Sequence, residues 1–411
     1  MNIYLVVILC LIIVDWLLET FVAVLNLRNL SPQLPPEFSG LYEPSRYKKS
    51  QEYLKESTGF SLFKNAVFTA VVVIFILAGG FNFVDVFVRG FKQGPVVSGL
   101  FFAAILMLGF QFFNLPFAAY RTFVIEEKYG FNKTTIKTFI LDIIKSLILG
   151  ALIAGTAFSV VLWFFGKVGR LAWIYCWLVI AGFELFLVFV APVVILPLFN
   201  KFIPLEEGPL KTAIEEYARR EKFALGGIFK MDASRRSAKS NAFFTGFGRY
   251  RRIALFDTLI EKHAPDELVS VIAHEVGHYK KKHIIKGIAL SILTSGFMFF
   301  LLSFFIENPG LFKAFKMENL SIYASLFFFT FLYSPINLIL SIFGNSLSRK
   351  HEYEADSFAV KTHNKPEDFI RALKKLSVDN LSNLNPHPLK VFLHYSHPPV
   401  LKRIQAIRKI N

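Results

Sequence analysis

Seven stretches of the chain are apolar over the length of a bilayer-crossing helix, about 20 residues for a hydrocarbon core of about 30 Å. They fall at 3–26, 65–88, 96–119, 146–166, 171–198, 284–306 and 321–345. The first starts at Ile3 without a basic leader, carries Asp15 and Glu19, and lacks a small-residue cleavage site. It reads as a retained span, not a secretion signal. Two water-facing stretches remain, 199–283 and 346–411. Within the first, residues 206–223 predict an amphipathic helix and residues 265–283 another. Residues 240–257 (SNAFFTGFGRYRRIALFD) predict a β-ribbon around a Gly-rich turn at Gly246 and Gly248. The expected organisation is a five-span region at 1–198, a water-facing segment at 199–283, spans six and seven at 284–345, and a C-terminal segment at 346–411.

Charge orients this pattern. The 411 residues hold 46 Lys and Arg against 30 Asp and Glu, a formal charge of +16. Sixteen of the basic residues lie in 199–283 and twelve in 346–411, whereas 89–95, 167–170 and 307–320 hold two each. By the positive-inside rule the N-terminus lies outside and both water-facing segments lie in the cytoplasm. The basic excess is thereby accounted for, and no nucleic-acid partner is expected. Composition agrees. Apolar residues make up 54% of the chain and charged residues only 18%, where a soluble chain has roughly 45–50% apolar residues even with glycine counted. This excludes a disordered chain, a collagen, a coiled coil and an ordinary cytosolic enzyme. Cys10 and Cys176 sit in apolar stretches and imply no disulfide framework. Membrane lipids are expected partners, and a bacterial inner membrane or an endoplasmic reticulum membrane fits equally.

Residues 271–280 read V-I-A-H-E-V-G-H-Y-K. His274 and His278 are i, i+4 and share one helix face, so both imidazoles can reach one Zn²⁺. Glu275 follows the first histidine and suits a general base. A third protein ligand is needed. Glu352 or Glu354, in R-K-H-E-Y-E-A-D-S-F-A at 349–359, can supply it from beyond span seven. Asp356, four residues after Glu352, can orient a ligand imidazole. The bland reading of this acidic cluster is a solvated helix start. His283 and His351 read as solvated residues at the membrane interface. Asp15, Gln111, Asn114 and Glu184 lie within spans and should face protein or water. The expected fold class is an all-α polytopic membrane protein with seven transmembrane helices plus a small α+β zincin-like domain on the cytoplasmic side.

The set H274-E-V-G-H278, 352-E-Y-E-A-D-356 and 394-H-Y-S-H-P-P-V-L-K-R-403 resembles the Ste24 type of CAAX prenyl protease in the M48 peptidases. So do P-S-R-Y-K-K-S-Q-E-Y at 44–53, E-E-K-Y-G-F-N at 126–132 and S-N-A-F-F-T-G-F at 240–247. The resemblance implies one Zn²⁺ on His274, His278 and Glu352, with Glu275 as catalytic base and Asp356 behind the ligands. It also implies His397 as oxyanion donor, Arg403 in support, Asn241 on substrate backbone, and a water-filled chamber among the helices. An extended peptide can add to the strand at Asn241–Phe247. The implied activity is removal of C-terminal residues from lipidated peptides. Two alternatives stand beside it: an HtpX-like quality-control protease, and a multispan transporter with a fortuitous motif.

Overall fold

The structure, a computed structural model, describes residues 2–245 and 252–410. Among these, seven helices are long and apolar enough to cross a membrane: Ile3–Arg28, Pro44–Leu77, Pro95–Glu126, Ile136–Lys167, Ala172–Phe199, His283–Leu302 and Ile322–His363. The count matches hydropathy, but several boundaries move, the second span's most of all. Hydropathy joins 65–88 into one span. The chain instead enters the second helix at Pro44 and leaves it at Leu77. Gly79 then takes a left-handed φ of +75°, and a separate ten-residue helix, Gly80–Arg89, begins. A side chain is disfavoured at that φ, so glycine makes the break. The short helix turns Phe81, Val84 and Val88 onto Ile76, Phe102 and Phe328. The polar half of the second helix, 44–58, has no hydropathy signal and is legible only once its apolar half is placed.

The seventh helix is 42 residues long and runs unbroken through the end of the apolar stretch. It carries Glu352 and Asp356 beyond the lipid-length segment on one continuous rod. At its far end Asn364 closes it in left-handed conformation. The sixth span starts at His283, directly after the helix Pro265–Lys280. Lys282 joins the two with φ 58°, which turns the chain sharply between them.

The water-facing segments fold together around one four-stranded sheet. Its strands are β1 (Phe202–Pro204), β2 (Ile228–Met231), β3 (Ala242–Thr245) and β4 (Arg252–Phe256), in the order β1-β2-β4-β3. β2 and β4 are parallel, and the outer pairs are antiparallel. β3 and β4 are the expected ribbon, with Ala242 opposite Leu255 and Thr245 opposite Arg252. The turn expected at Gly246 and Gly248 lies outside the described residues. Below the sheet, Ile214, Ile253, Leu255, Leu259, Ile272, Ile404 and Ile407 form a buried core. That core joins 199–283 to 346–411, as two segments on one membrane face require.

The domain is bolted to the membrane helices by a polar contact at the foot of β3. Tyr53 donates to Glu126 Oε1 at 2.8 Å. Lys239 reaches Glu126 Oε2 and the Tyr53 hydroxyl, both at 3.1 Å. Arg236 forks onto Asp142 at 2.7 and 2.9 Å. These contacts fix the strand start, and with it Asn241, relative to the second, third and fourth spans.

Candidate metal centre

The helix Pro265–Lys280 starts on Pro265, with Asp266 and Glu267 in its first turn. Both acids suit the positive end of the helix dipole. The Glu267 carboxylate accepts the Ala264 N–H at 3.1 Å. The helix buries one face on the core through Leu268, Val269, Ile272 and Val276. A second face meets the seventh helix. Their approach is set by Gly277, whose hypothetical Cβ would stand 3.1 Å from both Cα and O of Ala355. A backbone neighbour cannot rotate away. Gly277→Ala is therefore expected to cost about 1–3 kcal/mol through overpacking, and to weaken metal binding by opening the gap between ligands on the two helices. Metal affinity and thermal unfolding of the variant check this; native values for both would contradict it.

At this contact three potential ligands converge. His278 Nε2 lies 3.1 Å from His274 Nε2 and 3.2 Å from Glu352 Oε1, and His274 Nε2 lies 3.4 Å from Glu352 Oε2. Nitrogen and oxygen ligands at ~2.0–2.1 Å around a tetrahedral ion stand about 3.3 Å apart. Among the described residues this is the grouping of three or more His, Cys, Asp or Glu able to hold a metal. Glu354 takes no part, two residues along the helix and turned to His283 at 3.0 Å.

The donor chemistry fits a cation. His274 Nδ1 is 2.8 Å from Asp356 Oδ1, which can only accept, so Nδ1 carries the proton and Nε2 is left as a lone pair. Glu352 Oε2 is buried and has no hydrogen-bond partner among the described residues. Lone pairs facing one another across about 3 Å, on a buried carboxylate, need a positive charge between them. A proton on His274 meets the same need. Burial alone would depress the His274 imidazolium, but the hydrogen bond to Asp356 and the Glu352 carboxylate 3.4 Å away outweigh it and lift the group to about 9.

The expected site residues gather around this cluster. Asp356 is held by the Arg403 fork, Nε to Oδ2 at 2.8 Å and Nη2 to Oδ1 at 2.6 Å. Arg403 Nη1 also lies 3.4 Å from Glu352 Oε2. Nothing in the basic C-terminal run announced that burial. His397 is exposed, with Nε2 3.4 Å from Glu352 Oε1 and Nδ1 2.9 Å from Ser396 Oγ. Asn241 is exposed at the start of β3, and its side chain accepts the Ala242 N–H at 2.9 Å. Glu275 is half-buried; loss of surrounding water raises its carboxyl above the ordinary range, against the pull of His274 and His278. A cavity of about 450 Å³ joins Asn241, His274, Glu275, His278, Glu352, His397 and Arg403. A cavity of about 530 Å³ lies at the opposite ends of the spans, around Arg89, Lys167 and Tyr323, and holds none of these residues.

His283 and His351 depart from the sequence reading. Both are buried, at 5% and 8% exposure, and their rings stack at 3.9 Å. They are not solvated interface residues. His283 lies five positions after His278, off its helix face, and only the turn at Lys282 brings the two together.

Two family descriptions cover the chain. CAAX prenyl protease N-terminal, five membrane helices, matches residues 23–201, and Peptidase family M48 matches residues 204–411. The crystal structure of S. mikatae Ste24p superposes with a TM-score of 0.93 at 32% identity, covering 98% of this chain and 99% of that one. The chain belongs to the Ste24-type peptidases of family M48. Its relatives include CAAX prenyl protease 1 homologues of Oryza sativa, 34% identical over 98% of this chain and 97% of the relative, and of Homo sapiens, 32% identical over 96% and 93%. CAAX prenyl protease 1 of Saccharomyces cerevisiae is 32% identical over 96% and 92%. The chain is an M48 metallopeptidase built into a membrane, and Glu352 stands 3.4 Å from His274 as a metal site would need. A transporter with a fortuitous motif would not need that approach.

Proposed function

We propose that this Ste24-type chain is a zinc endopeptidase that removes C-terminal residues from prenylated CAAX-type peptides. The observation that carries the reading is the convergence of His274, His278 and Glu352 on a cavity whose wall includes Glu275 and the edge strand β3. His274, His278 and Glu352 would hold the zinc. Bound there, zinc supplies Lewis acidity to the scissile carbonyl and to the attacking water.

The chain's own residues do the rest. β3 is one of the sheet's two outer strands among the described residues, so an extended peptide can pair with its backbone next to the proposed metal ligands. Asn241 stands at the entry to that strand, placed to bond substrate backbone. Phe243, Phe244, Phe369, Leu373 and Leu376 line the same cavity and suit aliphatic substrate side chains. Glu275 takes a proton from the attacking water and delivers it to the leaving amine nitrogen. Ser396 can donate to His397 Nδ1, which leaves Nε2–H free to bond the developing oxyanion. Arg403 adds a fixed positive charge on the cavity wall, its fork committed to Asp356. Asp356 keeps His274 in the ligating tautomer.

The loop charges support a cytoplasmic site and an outside N-terminus.

Two experiments address this reading. A farnesylated CAAX peptide is expected to be cleaved in preference to its unlipidated twin; equal turnover of both would favour a general membrane-protein protease. Zinc must also displace the proton that His274 holds at neutral pH, because a group lifted to about 9 is protonated at pH 7. Zinc affinity is therefore expected to rise about tenfold per unit from pH 6 towards 9. Calorimetry at pH 7 should show a buffer-dependent enthalpy; absence of proton release would contradict it.

A further inference from the structure

We propose that His283 and Glu354 form a second support chain for the metal centre, fixing the tautomer of His278 as Asp356 fixes that of His274. The inference rests on His274, His278 and Glu352 being the metal ligands, and it adds two residues that the histidine motif does not contain.

His278 Nε2 faces His274 and Glu352, so it is the nitrogen available to a metal. A neutral imidazole that ligates through Nε2 carries its hydrogen on Nδ1. That nitrogen lies 3.0 Å from His283 Nδ1. His283 must therefore accept there, which places its own hydrogen on Nε2. His283 Nε2 lies 3.0 Å from Glu354 Oε2, a carboxylate that accepts. Each link admits one direction of donation, and the chain ends on a negative charge. The result is His278 donating to His283 and His283 donating to Glu354. With the opposite tautomer at His283, two N–H groups would point at each other across 3.0 Å.

The surroundings hold this order in place. His283 is almost wholly buried, and His351 stacks on it with an interplanar angle of 10°. Lys350 stands 4.0 Å from the other Glu354 oxygen. The chain also links three elements: the His274 helix, the first residue of the sixth span, and the seventh helix. Glu352 and Glu354, two residues apart, thus serve one centre from opposite faces of their helix, one as ligand and one through His283. Outer hydrogen bonds of this kind orient a ligand imidazole and raise its basicity, and their loss typically weakens metal binding about 10–100-fold.

The test measures zinc dissociation constants by chelator competition on the full-length purified chain. The variants are His283→Phe, Glu354→Gln and the two combined. His283→Phe keeps a flat ring against His351 but removes both nitrogens, and is expected to weaken zinc about 10–100-fold. Glu354→Gln, at a third-exposed side chain, leaves folding undisturbed and is expected to weaken zinc by a smaller factor. Because Glu354 acts through His283, the Glu354→Gln effect is expected to vanish in the His283→Phe background. Native affinity in both single variants, or an undiminished Glu354→Gln effect in that background, would overturn the support chain while the ligand assignment stood. A native chain that bound no zinc would overturn both.

Discussion

Glu275→Gln is expected to lower turnover of a farnesylated peptide about 10²–10⁴-fold, the range of a general base, while zinc content stays at one ion per chain. Glutamine keeps the shape of the side chain and its place on the cavity wall. It cannot take a proton from water and return it to an amine. Glu275 is not among the three converging ligands, so its loss leaves their geometry intact. Activity and metal content measured on one preparation separate the possible roles. Retained activity would remove Glu275 from proton transfer. Loss of zinc together with activity would make it a ligand.

Asp356→Ala is expected to have the largest effect on stability, about 3–5 kcal/mol, the cost of breaking a buried ion pair from one side. Asp356 is 1% exposed, and Arg403 is 12% exposed with its fork on that carboxylate. Removing the acid strands the guanidinium beside the metal cluster and frees the His274 tautomer. Zinc affinity is expected to fall with stability. The double change Asp356→Ala with Arg403→Met removes the stranded charge, and is expected to recover a substantial part of the stability but not the affinity. Denaturant unfolding of the single and double variants in detergent checks this. Equal, sub-kcal/mol losses in all of them would show that the pair is not coupled.

The membrane architecture was legible because a continuous apolar run has few alternatives in a bilayer. Hydropathy missed the polar helix extensions, and it joined two helices only where a glycine broke the run. Gly79 ends one helix and starts another inside a stretch that stays mostly apolar across the break. The histidine pair was legible because i, i+4 spacing along one helix is itself a geometry. Spacing alone left the third candidate ligand as a choice between acids, and only the resemblance named Glu352. Two residues along a helix are about 200° apart, so Glu352 and Glu354 face opposite ways, and only the neighbouring helix selects one. His283 was misread because its meeting with His278 depends on the turn at Lys282, which no periodicity encodes. Arg403 was named by the resemblance, but its burial against Asp356 was hidden for a related reason. Its partner Asp356 lies 47 residues earlier, and a basic residue in a basic tail gives no sign of burial. In both cases the missing information was a contact between elements, not a property of either element.

The most direct measurement is anomalous diffraction on either side of the zinc edge, from crystals of the native chain purified without added metal. The expected result is a single peak, at ~2.0–2.2 Å from His274 Nε2, His278 Nε2 and the Glu352 carboxylate. A peak centred on other side chains, or no peak between these three, would contradict the account.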